Sequence, residues 1–271
     1  MQLAFQYPWI LAVMFALVLA EIVWRIRNGR GYDGGAALAS LGIAVGQAIF
    51  RPLTAVATGA VFLWFAEISP LNFPADDWRT WVAGFFAVEI AYYWFHRFSH
   101  TVRWMWATHA VHHSPRQYVL PSAIRLGWTE FFSLGWVFFA ALVLIGFPPK
   151  VVVLLLGANL VFQFPLHTEA VRRLPRWIEA IFNTPSHHRA HHASEADYLD
   201  CNFGGVLIIW DRLFGTFRAE PRDRALRYGL VHDLATRNPV RIAFHEWQRL
   251  LTDIMRTKGM RAKVKIALGK P

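Results

Sequence analysis

Histidines with helical spacing are the residues of this chain most able to do chemistry. Ten of the twelve histidines lie between His96 and His192, in the stretches HRFSH (96–100), HAVHH (109–113) and HHRAHH (187–192), with His167 between the second and third. Residues three or four positions apart share one face of a helix, so each stretch directs several imidazoles to one side. Neutral imidazole is the commonest protein metal ligand. The spacing therefore predicts a metal site, since chance packing would rarely group so many histidines.

The number of histidines indicates more than one metal ion. Eight candidate nitrogen donors come from the three stretches, and His167 is a ninth. One ion rarely takes more than six ligands, so the set predicts two ions. Imidazole suits zinc, copper, iron and nickel alike, so the ligand type leaves the metal open.

Other site chemistries find little support in the sequence. A zinc hydrolase would be expected to carry H-E-x-x-H or an acid directly after a ligand histidine, and neither occurs. No G-x-S-x-G stretch or glycine-rich phosphate loop is present. A metal-binding or metal-transport membrane protein stays an alternative, although transporters normally place polar ligands near the middle of the membrane.

Composition favours a polytopic membrane protein. Hydrophobic residues make up 55% of the chain, charged residues 17%, and the mean hydropathy is +0.29. Thirteen tryptophans suit a protein with two lipid–water interfaces. A single cysteine, Cys201, excludes an internal disulfide framework and an all-cysteine metal site.

Basic residues are concentrated in the second half of the chain, which has a net charge of +10. Eighteen of the 28 lysines and arginines follow His167. Anionic lipid at the cytoplasmic surface explains this bias better than nucleic acid does, so no nucleic-acid partner is expected. Residues 221–271 form a basic C-terminal region, in which 239–257 predict an amphipathic helix that packs on the membrane surface or on the domain.

The apolar runs predict about four to five membrane helices, at residues 8–24, 36–67, 78–95, 128–147 and 150–166. A signal peptide is less favoured for 8–24 because MQLAFQ carries no positive charge. Run 36–67 contains Pro52 and predicts either one kinked helix or a hairpin. Arg25, Arg27 and Arg30 place the end of the first helix in the cytoplasm. All histidine groups then lie on the cytoplasmic face.

Three further polar residues lie outside this pattern. Glu89 precedes His96 at membrane depth, where an acid faces the bundle interior as a functional group or pairs with an arginine. His232 and His245 lie outside the histidine groups and are interpreted as surface or packing residues.

The three histidine stretches, in this order and around a short membrane hairpin, resemble the fatty acid hydroxylase/sterol desaturase superfamily. Its members are integral-membrane, histidine-ligated di-iron oxygenases. FQFPLHTE and NFGGVLIIWDRLFGTF resemble most the branch that contains alkylglycerol monooxygenase and its bacterial relatives. The resemblance covers residues 89–220 and implies one all-α domain over 1–271, with a cytoplasmic histidine-rich helical cap on the bacterial inner membrane.

The resemblance also implies roles for particular residues. Two irons would be held by His96, His100, His109, His112, His113, His167, His188, His191 and His192. His187 would lie beside the ligands, and Glu169, Asp197, Asp200 and Asn202 are candidates for orienting ligand imidazoles. Gln163 stands where fatty acid hydroxylases carry a further histidine.

The implied reaction is O2-dependent oxidation of an unactivated C–H bond of a lipid taken from the bilayer. Hydroxylation and desaturation both stay open, as do an alkyl or acyl chain and a sterol; a sterol desaturase or C-methyl oxidase is the alternative enzyme. Electrons would come from an external donor, either a cytochrome or ferredoxin type of protein or a reduced pterin.

Overall fold

The computed structural model of the chain describes residues 7–271, which form helices joined by loops. Within these residues no extended strand forms, and two isolated bridges join Phe182 to Leu207 and Ala193 to Tyr228. The predicted all-α class is confirmed.

The first six helices build the membrane part and the start of the cap. They are α1 (Pro8–Arg27), α2 (Gly34–Ile68), α3 (Trp78–Thr101), α4 (Arg103–His113), α5 (Trp136–Ile145) and α6 (Pro149–Gln163). Five helices follow: α7 (Arg176–Ile181), α8 (Pro185–His191), α9 (Ile209–Leu213), α10 (Pro239–Arg256) and α11 (Met260–Leu268). Short 3-10 segments occur at Leu120–Ile124, Phe164–Leu166 and Ala196–Tyr198.

Three stretches in the described part are long and apolar enough to cross a membrane: Pro8–Arg27, Gly34–Ile68 and Pro149–Leu166. Helix α5 is apolar but has ten residues, a length of about 15 Å. Helix α3 has 24 residues and packs against α5 and α6, although its last turns carry His96, Arg97 and His100. The helices thus form a membrane bundle, one end of which continues into the cap.

Helix α2 is one continuous helix of 35 residues with Pro52 inside it, so the single-helix alternative is correct and the hairpin is not. Its two halves lie in different surroundings. Ile43, before the proline, packs against Val111 and Ile242 of the cap. Phe62, after the proline, belongs to the apolar core of the membrane helices. Helix α2 therefore crosses the boundary between cap and membrane.

The predicted membrane helix over 128–147 is wrong in its first half. Helix α5 begins only at Trp136, and the residues before it form turns with Leu134 at a φ of 63°. Trp128 Nε1 donates to the Ile43 carbonyl at 2.8 Å, and Thr129 Oγ1 accepts from Trp247 Nε1 at 2.7 Å. These partners belong to α2 and α10, outside the segment, so an apolar pattern alone gave the wrong start for the helix.

Helix α10 is amphipathic and packs on α4 and α2 rather than standing apart from the cap. Ile242, Trp247 and Leu250 are buried, and Trp247 meets Trp104 edge to face at a centroid distance of 4.9 Å. Of the two alternatives for this helix, packing on the domain is the one observed for its buried face.

Helix α1 is attached to the cap by two buried charged residues near its C-terminal end. Glu21 accepts hydrogen bonds from the Leu120 amide at 2.7 Å and from the Thr168 hydroxyl. Arg25 Nη1 donates to Glu169 Oε2 at 2.7 Å. Helix α1 therefore holds the segment that follows His167 in place.

Candidate metal centre

Nine histidines from separate elements converge in two adjacent groups. The first group contains His96, His100, His109, His113 and His191, and the second contains His112, His167, His188 and His192. Within each group the potential ligand atoms all lie within 4.8 Å of one another. The structure thus brings together all nine histidines that the sequence nominated.

Helical periodicity explains how two helices serve both groups. Helix α4 contributes the i,i+4 pair His109 and His113 to the first group and His112 to the second. The stretch formed by α8 and the next residue does the reverse, with His188 and His192 in the second group and His191 in the first. Each stretch presents two neighbouring faces, so the two groups are held side by side.

Backbone carbonyls fix the proton position in three of the imidazoles. The Nδ1 atoms of His96, His167 and His191 lie 2.9, 3.0 and 2.8 Å from the carbonyl oxygens of Phe203, Gln163 and Cys201, respectively. A carbonyl only accepts, so Nδ1 must carry the hydrogen in each ring. The lone pair of Nε2 in these neutral rings then points into the centre, which is the arrangement of a metal ligand.

Several ring nitrogens are left facing one another or without a partner. His96 Nε2 lies 3.1 Å from His109 Nε2, and His167 Nε2 lies 3.1–3.2 Å from the Nε2 atoms of His188 and His112. Among the described residues, no hydrogen-bond partner reaches the buried Nε2 atoms of His100, His113, His191 and His192. Buried polar atoms are rarely left without a hydrogen-bond partner. Cations in the two groups would satisfy these nitrogens, so the residues fit two metal ions.

The electrostatic environment keeps the imidazoles neutral. Burial lowers the pKa of His191 and of His167 to about 4. Burial also places the pKa of His192 well below its usual range, and the neighbouring His113 adds to this effect. Neutral imidazole is the form that binds metal, so the site is poised for ligation at neutral pH.

The residues expected to orient the ligands lie in different places. Asp200 Oδ1 is 4.0 Å from His100 Nδ1, and its other oxygen is 3.3 Å from Lys270 Nζ. Glu169 is bound to Arg25, and Asp197 is exposed in the 3-10 segment Ala196–Tyr198. Among the acidic candidates within the described chain, Asp200 is therefore the one that approaches a ligand histidine.

Of the other two candidates, His187 lies outside both histidine groups, and Asn202 bonds to backbone carbonyls. His187 is buried, but its ring packs on Phe217 at a centroid distance of 5.2 Å and belongs to neither group. Asn202 Nδ2 donates to the carbonyls of His187 and Arg218 at 3.0 and 2.7 Å. Asn202 thus ties the third histidine stretch to the chain near Arg218.

Asp211 is a buried positioning residue that the sequence analysis did not nominate. Its carboxylate accepts hydrogen bonds from the amides of Phe203 and Gly204, both at 2.7 Å, and from Thr216 Oγ1 at 2.6 Å. These bonds fix the loop whose Phe203 carbonyl holds His96. Asp211 therefore supports a ligand through the backbone.

Glu89 fastens the other end of the same loop. Its Oε2 accepts from the amides of Val206 and Leu207 at 3.0 and 2.8 Å, and Asn159 Nδ2 donates to Oε1 at 2.5 Å. No arginine pairs with Glu89 in the described structure. Its partners are backbone and amide groups, so it is a structural acceptor.

An apolar cavity of about 310 Å³ lies beside the histidines. His109, His112 and His167 line it on the cap side, and Met14, Thr54 and Thr58 line it on the membrane helices α1 and α2. Much of the remaining wall is hydrophobic, including Phe95, Phe139, Leu156, Leu160 and Trp136. The cavity can therefore bring an apolar chain from the membrane part to the histidines.

The fold and the site define a helical integral membrane protein with a histidine-rich centre at one end of its bundle. Residues 81–216 match the fatty acid hydroxylase family, and the chain belongs to that family. This region contains all nine histidines of the two groups. The family resemblance inferred from the three histidine stretches is confirmed.

Relatives of the chain include alkylglycerol monooxygenases and an ornithine lipid hydroxylase. The chain is 39% identical to human alkylglycerol monooxygenase over 214 residues, which are 79% of this chain and 47% of that protein. Identity to the Danio rerio alkylglycerol monooxygenase is 42% over 193 residues, covering 70% and 42% of the two chains. Ornithine lipid hydroxylase OlsE of Rhizobium tropici is 27% identical over 241 residues, covering 83% and 69%. The chain spans less than half of either monooxygenase, and no solved structure matches it.

Proposed function

We propose that this protein is a membrane-bound, O2-dependent di-iron oxygenase that hydroxylates an unactivated C–H position of a lipid. The observation that carries the proposal is the contact between two histidine groups and one apolar cavity: His109 of the first group, and His112 and His167 of the second, line its wall. A lipid chain in this cavity would lie against the metal centre.

The proposed iron ligands are the nine histidines, five around one ion and four around the other. Bound iron would supply the reductive activation of O2 that no protein side chain provides. In the overall reaction, one oxygen atom of O2 is inserted into the C–H bond to give C–OH. Two electrons and two protons reduce the other oxygen atom to water.

The chain's own residues would hold and shield this chemistry. The carbonyls of Phe203, Gln163 and Cys201 keep the Nε2 lone pairs of three ligands directed inward. The hydrophobic wall of the cavity, including Phe95, Phe139 and Leu160, excludes bulk water from the reacting carbon. Neutral imidazoles at pH 7 give the ions a ligand set without competing protons.

The names of the relatives support hydroxylation of an alkyl or acyl lipid over sterol desaturation or C-methyl oxidation. Lipid would enter from the bilayer, since membrane helices α1 and α2 contribute Met14, Thr54 and Thr58 to the cavity wall. Arg25, Arg27 and Arg30 at the cap end of α1 support a cytoplasmic site. The membrane proposed for the protein is a bacterial inner membrane. An external donor, a cytochrome or ferredoxin type of protein or a reduced pterin, would deliver the electrons there.

The test is metal analysis and lipid-product analysis on the purified protein in detergent. We expect close to two irons per chain, and a hydroxylated lipid that forms only with O2 and a reductant. The double variant His188→Ala, His192→Ala should lose iron and product, whereas His232→Ala, which changes an exposed histidine, should keep both.

Three results would contradict the proposal. Stoichiometric zinc with no iron after anaerobic iron reconstitution would favour a metal-binding or transport protein. A desaturated sterol as the sole product would favour the alternative enzyme. Unchanged metal content in the double variant would place the metal elsewhere.

A further inference from the structure

A carboxyl group that the metal centre does not use lies on the cavity wall. Glu130 lines the cavity that His109, His112 and His167 also line. Its Oε1 accepts a hydrogen bond from Gln47 Nε2 at 2.8 Å. Within residues 7–271, no group donates to its Oε2 and no arginine or lysine forms an ion pair with it. One acceptor oxygen is therefore available on the cavity side.

Neighbouring polar groups of the cavity wall already have partners. Ser133 Oγ donates to the Glu130 carbonyl at 2.7 Å, and Thr108 Oγ1 pairs with Thr129 Oγ1 at 2.7 Å. Thr58 Oγ1 donates to the Thr54 carbonyl at 2.8 Å. The half-buried Glu130 side chain differs from these because one of its two carboxyl oxygens has no donor, although it lines a largely apolar space. A buried carboxyl costs free energy unless a donor reaches it.

The Glu130–Gln47 pair lies near the boundary between the cap and the membrane helices. Gln47 lies in the half of α2 before Pro52, one turn after Ile43, which packs on the cap. Phe62, after the proline, packs among the membrane helices. The pair thus lies where the cap meets the membrane, while Met14 and Thr58 line the same cavity on the membrane side. A lipid in the cavity would place its polar end near Glu130 and its chain among apolar residues.

We infer that Glu130, positioned by Gln47, is a specificity-determining residue that accepts a hydrogen bond from a hydroxyl group at the polar end of the lipid substrate. The inference rests on the proposed function and names the substrate class, a neutral hydroxyl-bearing lipid. A free fatty acid is disfavoured because it would bring a second acidic group into the same apolar cavity, where burial already raises the pKa of Glu130. A hydrogen bond to such a group corresponds to on the order of tenfold in Kd.

Equilibrium binding to the metal-loaded protein in detergent tests this role without turnover. The probes are 1-O-hexadecylglycerol, its di-O-methyl ether, which cannot donate, and hexadecanoic acid. We expect the wild-type protein to bind the glycerol ether about tenfold more tightly than the methylated probe. Glu130→Leu should abolish this preference. Glu67→Gln, which changes an exposed carboxyl group of α2 outside the cavity, should keep it.

Conservative variants keep the test decisive where Glu130→Leu does not fold. Glu130→Gln retains the size of the side chain and removes the acidic group, so it should bind hexadecanoic acid more tightly than the wild-type protein does. Gln47→Leu leaves the carboxyl group but frees its orientation, and should weaken binding of the glycerol ether alone.

Each outcome separates this inference from the proposed function. Equal binding of the glycerol ether and its methylated form by the wild-type protein overturns the role of Glu130, even if a lipid is hydroxylated. A preference that persists in both Glu130 variants also overturns it. Selective binding without any O2-dependent product would instead contradict the proposed oxygenase and leave the binding role intact.

Discussion

His113 and His192 stack on each other, with ring centroids 4.2 Å apart and planes inclined by 19°. They belong to different histidine groups, since His113 lies in the group of five and His192 in the group of four. The contact joins α4 to the end of α8. The two groups therefore share one packed wall, and a change in one ring alters the support of the other group.

This stacking predicts that a single substitution affects both metal positions. In His192→Ala the second group loses a donor, and His113 loses the ring that packs against it. We expect metal affinity to fall at both positions. At the first group, where only the packing of His113 changes, the fall should be about 10–100-fold, as when a residue that orients a ligand is removed. Metal content after dialysis against graded chelator measures both losses, with His232→Ala as the control. Release of only one ion, with the other held at wild-type affinity, would show that the groups are independent.

Asp211 should be needed for metal retention although it touches no ligand ring. In Asp211→Asn, one of the oxygens that accept from Phe203, Gly204 and Thr216 becomes a donor. Leaving buried amides unpaired costs about 1–3 kcal/mol, and the Phe203 carbonyl that orients His96 would move with them. We expect a lower unfolding temperature and weaker metal binding. Asp223→Asn, an exposed control, should change neither. Wild-type metal affinity in Asp211→Asn would refute the positioning role.

The histidine centre illustrates what local sequence can predict. The i,i+3 and i,i+4 spacing within HAVHH and HHRAHH dictates which imidazoles share a face, so their convergence follows from the amino-acid sequence alone. The division into two groups does not, because it depends on how α4 and α8 pack side by side. The carbonyls that orient His96, His167 and His191 carry no sequence signal, since every residue has one.

The membrane segments show a second limit. Hydropathy predicts a helix over 128–147, but Trp128 and Glu130 bond to α2 and Thr129 bonds to α10, both outside the segment. A sum over side-chain hydropathies contains no information about such partners. In α2, by contrast, Pro52 left two alternatives open, one kinked helix and a hairpin, and the single helix that the structure shows is one of them.

Glu89 should contribute to stability as an acceptor for the backbone. Both of its oxygens accept hydrogen bonds, from Asn159 on one side and from the amides of Val206 and Leu207 on the other. In Glu89→Gln the side chain keeps one acceptor oxygen. Its NH2 group must therefore face one of the donors that now bind the second oxygen. We expect a loss of about 1–3 kcal/mol, seen as a lower unfolding midpoint in detergent. Glu67→Gln, at an exposed position near the end of α2, is the matched control and should be neutral.

Two glycines of α2 should respond in opposite directions to the same substitution. At Gly46 an added Cβ would overlap the indole of Trp128, the residue that ties α2 to the segment carrying Glu130. Gly46→Ala should therefore destabilise the protein by about 1–3 kcal/mol, as overpacking does, and should weaken lipid binding in the cavity. Gly59 has nothing within 4 Å of an added Cβ, so Gly59→Ala should be neutral or stabilise the helix by about 0.5–1 kcal/mol. The measurement is a comparison of the unfolding midpoints of the two variants and the wild-type protein in the same detergent. A Gly46→Ala protein as stable as Gly59→Ala would mean that α2 does not pack against Trp128 and that the cap and membrane halves are joined differently.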